Sequence, residues 1–269
     1  MDATAHLERL QQRGTNRSCL TSGRKPVKGR WADVGSEEPP ILMLHVMSLL
    51  SSGEPVAWLR WADGDIYDYS PSSSRAGAPI AEAMLAAAVD WPQQRHLFVA
   101  ANTQHVCMLA GMWNAFVSAA GLHQYVFLDY FYLPSIGSDA WRRLGVRGWL
   151  EETRHRRRVV VGPPSLRATA ACLGARFVEV RAGDRAERLE QLIADEGAAT
   201  REPVLFLLCA GSLAKLAISR AFARPRNKDS FVDIGTCLFK NGVAAQASQW
   251  AARGDAERCP LTRFVPDPG

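Results

Sequence analysis

The chain has 269 residues, 47% of them hydrophobic, and a formal net charge of +5, which suits one large domain or two small ones and allows contact with phosphate-bearing partners. No uninterrupted apolar stretch approaches the roughly 20 residues of a membrane span, and the N-terminus lacks the apolar segment of a secretory signal. Six cysteines (19, 107, 172, 209, 237 and 259) form no Cys-x-x-Cys pair, so reduced thiols and a cytoplasmic protein are expected.

Residues 1–39 are polar. Between Arg9 and Arg30 there are seven Lys or Arg and no Asp or Glu, so this arm cannot bury enough apolar area to fold alone. It reads either as a solvated tail or as an electrostatic arm, over residues 9–30, for DNA or another polyanion. After Pro39-Pro40, residues 41–50 carry helix-like apolar spacing. Val56 to Leu59 then form an apolar, β-favouring run that reads as a buried strand.

That strand ends in Asp63-Gly64-Asp65. Two carboxylates flanking a glycine that makes a tight turn can converge on one divalent cation, and such a metal could hold a diphosphate. The same tripeptide also reads as a solvated acidic turn closing a hairpin. Residues 70–77 form a Ser/Gly/Pro loop, expected to be mobile, beside it.

A regular alternation follows. Residues 79–89 read as a helix, 97–101 as a strand, 103–119 as a helix and 125–128 as a strand ending at Asp129. At the carboxyl edge of a parallel sheet, Asp129 is the best-placed candidate for a catalytic base, with a capping acid as the alternative. Tyr130-Phe131-Tyr132-Leu133-Pro134 reads as core or as a platform for an acceptor ring. A helix over 138–152 runs into Arg154-His155-Arg156-Arg157-Arg158, the densest positive charge in the chain. Because it precedes the strand 159–161, this cluster is expected at the amino edge as a solvated face. Helix 165–174, strand 176–180, helix 184–197, strand 203–209, helix 212–223 and strand 230–234 complete the pattern. The expected fold is α/β and Rossmann-like: a mostly parallel, doubly wound sheet with helices on both faces. The expected division is the arm 1–39, an α/β domain over 40–239, and a terminal helix with an irregular tail over 240–269.

Gly211-Ser212, at a strand-to-helix turn, offers backbone N–H groups and a helix dipole to an anion. Lys215, one turn on, reads as a point charge for that anion or as an exposed helix lysine. Asp233, near the end of the last strand, is a candidate for a ribose or base edge, and Arg60 for pairing with the acids or a diphosphate.

Arg60-Trp61-Ala62-Asp63-Gly64-Asp65 resembles the Arg-aromatic-Gly-Asp-Gly-Glu signature of the GT-D-type glycosyltransferases. Residues 204–235, with their Gly-(small)-x-Ala-Lys turn and closing Asp-Ile-Gly, resemble that family's second signature. Val159-Val160-Val161-Gly162-Pro163 is similar to its Val-Gly-Pro strand end. This chain departs from the pattern with Ala62 for Gly, Asp65 for Glu, and Gly211-Ser212-Leu213-Ala214-Lys215 for Gly-Pro-Thr-Ala-Lys. The resemblance implies a metal-dependent glycosyltransferase taking a nucleoside diphosphate sugar, a UDP-sugar, with Mn²⁺ or Mg²⁺ on Asp63 and Asp65. Its acceptor hydroxyl would belong to a glycan, a protein or a modified nucleic-acid base.

Other classes fit less well. No Gly-x-Gly-x-x-Gly follows the first strand, as a dinucleotide enzyme would require, and the six histidines show no metal-ligand spacing. The alternative from a different class is a non-catalytic nucleic-acid-binding protein that uses the basic arm.

Overall fold

A computed structural model describes residues 46, 48–61, 64–65, 83–84, 86–88, 94–101, 110–119, 126–127, 153–181 and 184–235. The arm, the loop 70–77, Asp63, Asp129, residues 130–134, the helix expected over 138–152 and residues 240–269 lie outside the described residues.

The described strands are β1 (Ala57–Trp61), β2 (Leu97–Ala101), β3 (Val126–Phe127), β4 (Arg157–Gly162), β5 (Arg176–Glu179), β6 (Val204–Leu208) and β7 (Ser230–Asp233). They form one sheet in the order β3-β2-β1-β7-β6-β4-β5, and every pairing is parallel. The helices are α1 (Ala110–Ala119), α2 (Arg167–Cys172), α3 (Ala186–Ala198) and α4 (Ser212–Phe222), with a 3-10 turn at Pro164–Leu166 ahead of α2. The expected α/β architecture is thus the observed one. Among the described residues no helix is long and apolar enough to cross a membrane.

The strands read as continuous apolar runs because both faces of the sheet are covered. Ala57, Leu59, Trp61, Val159, Val161, Phe206, Leu208 and Phe231 share one core with Leu189 and Ile193 of α3 and with Ala214, Ala217 and Ile218 of α4. The alternate residues Val56, Trp58, Val160, Leu205, Leu207 and Val232 face the other way and are buried as completely. Trp61 packs against Phe116 and Trp113 of α1, with ring centroids 4.5 and 5.9 Å away, which fixes the carboxyl end of β1.

Four local readings need correction. The first strand continues through Arg60 and Trp61 instead of ending at Leu59. Gly64 and Asp65 are helical, Gly64 has no left-handed φ, and β1 pairs in parallel on both sides, so the strand is not one arm of a hairpin. The helix expected over 165–174 is split between the 3-10 turn and a short α2. The basic cluster is not a uniformly solvated face: β4 begins at Arg157, and Arg156 and Arg158 are buried while Arg154 and His155 are exposed. Burial lowers the Arg158 guanidinium to about 10. The reading missed this because valine propensity marks the strand interior, whereas the arginines enter the ladder by pairing with β6.

Candidate functional site

All seven strands point the same way, so the chain leaves each of them at one edge. β4 sends its connection outward to β5, while neighbouring β6 sends its own through α4 to β7 on the inner side. Adjacent strands whose connections diverge open a crevice at the carboxyl edge, where ligands bind in open α/β sheets. Two glycines shape this place. At Gly162, ending β4, an added Cβ would lie 2.8 Å from Leu166 Cδ1 and 3.1 Å from Cys209, so a side chain there would press on Leu166 and on the end of β6. At Gly211, φ is +58° and ψ is −144°, a conformation glycine adopts readily, and it aims the chain into α4. The Cys209 thiol donates to the Gly235 carbonyl, tying the ends of β6 and β7 together.

Register explains which side chains meet. Asp233 lies opposite Leu208 and two residues beyond Phe231, so it faces α4. Lys215 sits one turn into α4, and Asp65 stands in the helical segment after β1. The Lys215 Nζ lies 2.8 Å from Asp65 Oδ1 and 2.6 Å from Asp233 Oδ2, and 3.5 Å from the Gly211 carbonyl. Ser212 Oγ donates to the same Asp65 Oδ1 at 3.2 Å, and Asp233 Oδ1 accepts from the Gly235 backbone N–H at 2.9 Å. Lys215, Asp65 and Asp233 are 1%, 7% and 0% exposed.

The electrostatics follow from that burial. Desolvation pushes the Lys215 ammonium down, but the Asp233 and Asp65 carboxylates outweigh it and hold the pKa above the ordinary lysine value. Desolvation also pushes the Asp233 carboxyl above its ordinary value, with Lys215 pulling the other way, Asp65 adding to the rise and Arg60 opposing it. Arg60, itself buried, therefore contributes positive charge to the group.

Of the residues singled out in the sequence, the carboxyl edge brings together Arg60, Asp65, Gly211, Ser212, Lys215 and Asp233, drawn from segments about 150 positions apart. Asp63 and Asp129 lie outside the described residues. Lys215 is not an exposed helix lysine, and Asp65 is not a solvated turn acid. The Asp65–Lys215–Asp233 link itself was missed. A signal existed: Leu213-Ala214-Lys215-Leu216-Ala217-Ile218 is apolar on all sides of the helix, and a helix of that kind is buried, which obliges its lysine to find carboxylates.

Asp65 and Ser212 supply carboxylate and hydroxyl oxygen, the donor type a hard divalent cation selects, while the Lys215 ammonium occupies Asp65 Oδ1 and Asp233 Oδ2. Among the described residues no three His, Cys, Asp or Glu cluster as a metal-binding group; the partner acid, Asp63, is not among them.

No known family's model matches the chain, and no curated protein matches it. Solved structures do. One, described as a new glycosyltransferase of the domain of unknown function 1792 from Streptococcus sanguinis, is similar over 80% of this chain and 84% of its own, with 14% identity and a TM-score of 0.48. Another, described as that domain with a distinct glycosyltransferase fold, is similar over 80% of this chain and 81% of its own, with 12% identity and a TM-score of 0.44. These are likenesses of fold.

Proposed function

We propose that this protein is a metal-dependent glycosyltransferase that moves a sugar from a nucleoside diphosphate sugar, a UDP-sugar, to an acceptor hydroxyl. The observation that supports this reading most is the meeting, at one sheet edge, of the two segments whose sequences resemble the GT-D signatures. Asp65 from the first and Ser212, Lys215 and Asp233 from the second touch through hydrogen bonds and ion pairs. Such contacts need not follow from the sequence matches.

In this reading the Gly211-Ser212 turn and the start of α4 receive the donor diphosphate, because the first turn of a helix has unpaired N–H groups and a positive dipole end. Asp63 and Asp65 hold Mn²⁺ or Mg²⁺, which when bound supplies charge neutralisation to the leaving diphosphate. Arg60 adds positive charge behind them, and Asp129 takes the proton of the acceptor hydroxyl. Asp233, entirely buried against Lys215, is closed to a ribose or base edge and supports the site from beneath.

The test is titration of a panel of nucleotide sugars, with and without Mn²⁺ and with EDTA, into wild type and Asp63→Asn. The expected result is UDP-sugar binding that EDTA weakens and Asp63→Asn largely loses. Salt-sensitive association with DNA that ignores EDTA, with no nucleotide-sugar binding, would overturn the proposal in favour of a nucleic-acid-binding protein.

A further inference from the structure

We infer that Lys215 is a positioning residue of the donor site: an internal cation that acts through Asp65 and makes no contact with the diphosphate. The inference rests on the glycosyltransferase reading above and changes the role of one of its residues, which sequence resemblance alone would treat as a phosphate ligand.

The geometry carries the point. An ammonium has three N–H donors. In Lys215 two of them have carboxylate partners, at 2.8 and 2.6 Å, and the Gly211 carbonyl stands at 3.5 Å. With the side chain 2% exposed and its ammonium enclosed by three protein oxygens, a phosphate could reach Nζ only by displacing one of them. Displacing either carboxylate would take the ammonium from a buried acid, which makes that exchange unfavourable.

The pairing also explains how an acid that follows β1 is held against a helix that follows β6. Both Lys215 and Ser212 belong to the first turns of α4, and both engage the same oxygen, Asp65 Oδ1. Asp65 is therefore oriented by the same helix end that offers its N–H groups to an anion. Anchoring Lys215 on Asp233 at the same time fixes its ammonium against the end of β7. The carboxylate and the helix start thus keep one spacing, as donor and metal would need. Partners of this kind typically set a ligand's orientation without touching the ion.

The experiment uses Lys215→Met and, to keep the fold when the single change leaves Asp233 buried and unpaired, Lys215→Met/Asp233→Asn. Mn²⁺ alone and UDP in EDTA are titrated into each variant and into wild type by calorimetry. The expected result for a folded variant is Mn²⁺ affinity lower by about 10–100-fold, as for the loss of an orienting partner. Metal-free UDP affinity should stay close to that of wild type. A parallel fall in metal-free UDP affinity would overturn the inference in favour of direct phosphate contact, and unchanged Mn²⁺ affinity would reduce Lys215 to a structural ion pair. Wild type that binds neither probe would instead overturn the donor-site reading from which the role follows. A second measurement does not depend on folding of the variants. In ¹⁵N-lysine-labelled wild type, the Lys215 Nζ resonance should stay in place when UDP is added in EDTA and should move in Asp65→Asn. A shift on UDP addition, with none in Asp65→Asn, would count against the inference.

Discussion

The two edges of the sheet both bury charge, but they use it differently. At the amino edge the charged and polar side chains satisfy the backbone. Asp229 Oδ1 accepts from the Val204 N–H at 2.8 Å, and Lys228 Nζ donates to the Thr200 carbonyl at 2.6 Å. Ser230 Oγ accepts from the Val56 N–H and from Arg156 Nη1, stitching the starts of β1, β4 and β7. At the carboxyl edge the side chains also satisfy one another: Lys215 with Asp65 and Asp233, and Ser212 with Asp65. The backbone partners tie strands of the sheet to one another, whereas the side-chain partners tie α4 to β7 and to the segment after β1. The amino edge therefore holds the strands in register, and the carboxyl edge holds the groups of the proposed donor site at one spacing.

The sharpest break of this contrast is Lys215→Met, which strands Asp233 in the core. Loss of one partner of a buried pair should cost about 3–5 kcal/mol, far more than any surface charge. Its pH dependence has a definite sign. Desolvation already raises the Asp233 carboxyl above its unfolded value, and removing the cation raises it further, so the folded variant binds a proton more readily than the unfolded chain does. The deficit should accordingly grow as pH rises above the ordinary aspartate range and shrink toward acid, which urea melts at a series of pH values will show. In wild type the raised lysine acts with the same sign, in a more alkaline window. Its contribution is complete below the ordinary lysine value and is lost as pH climbs through the raised folded value.

Two changes of similar cost separate the edges by function. Asp229→Ala leaves the Val204 N–H without its acceptor and should cost about 1–3 kcal/mol, with UDP and Mn²⁺ binding unchanged. Gly211→Ala meets open space but forces a side chain into a left-handed φ, also costing about 1–3 kcal/mol. Because it turns the start of α4, it should weaken UDP binding as well. Parallel melts and titrations check both; equal loss of ligand binding in the two would erase the distinction between the edges.

The smallest effect is expected on the surface between α3 and α4. Arg224 Nη2 pairs with Glu190 at 2.9 Å, but the arginine is exposed, so Arg224→Ala should cost less than about 1 kcal/mol and fade with added salt. A larger loss in a denaturant melt would place part of the charge network's stability outside the sheet edges.

The sequence by itself determined the alternation of strands and helices, and with it the parallel sheet. Runs such as Val204–Leu208 and Ser230–Asp233 carry their own β propensity, and both were legible to within a residue or so. It also marked Gly211, because a strand ending in glycine before a helical stretch is a local signal. Tertiary structure alone decided that Lys215 is an internal cation. Its partners come from segments after β1 and at the end of β7, and only the β1–β7 pairing in the sheet brings those segments under α4. It likewise decided which arginines of the 154–158 cluster are buried, since that depends on where β4 begins pairing with β6. Strand and helix propensities act within a few residues and leave their trace in the local sequence. The ionic links are set by register between strands far apart in the chain, and there the sequence shows only an unusual residue, a lysine in an apolar helix, without naming its partners.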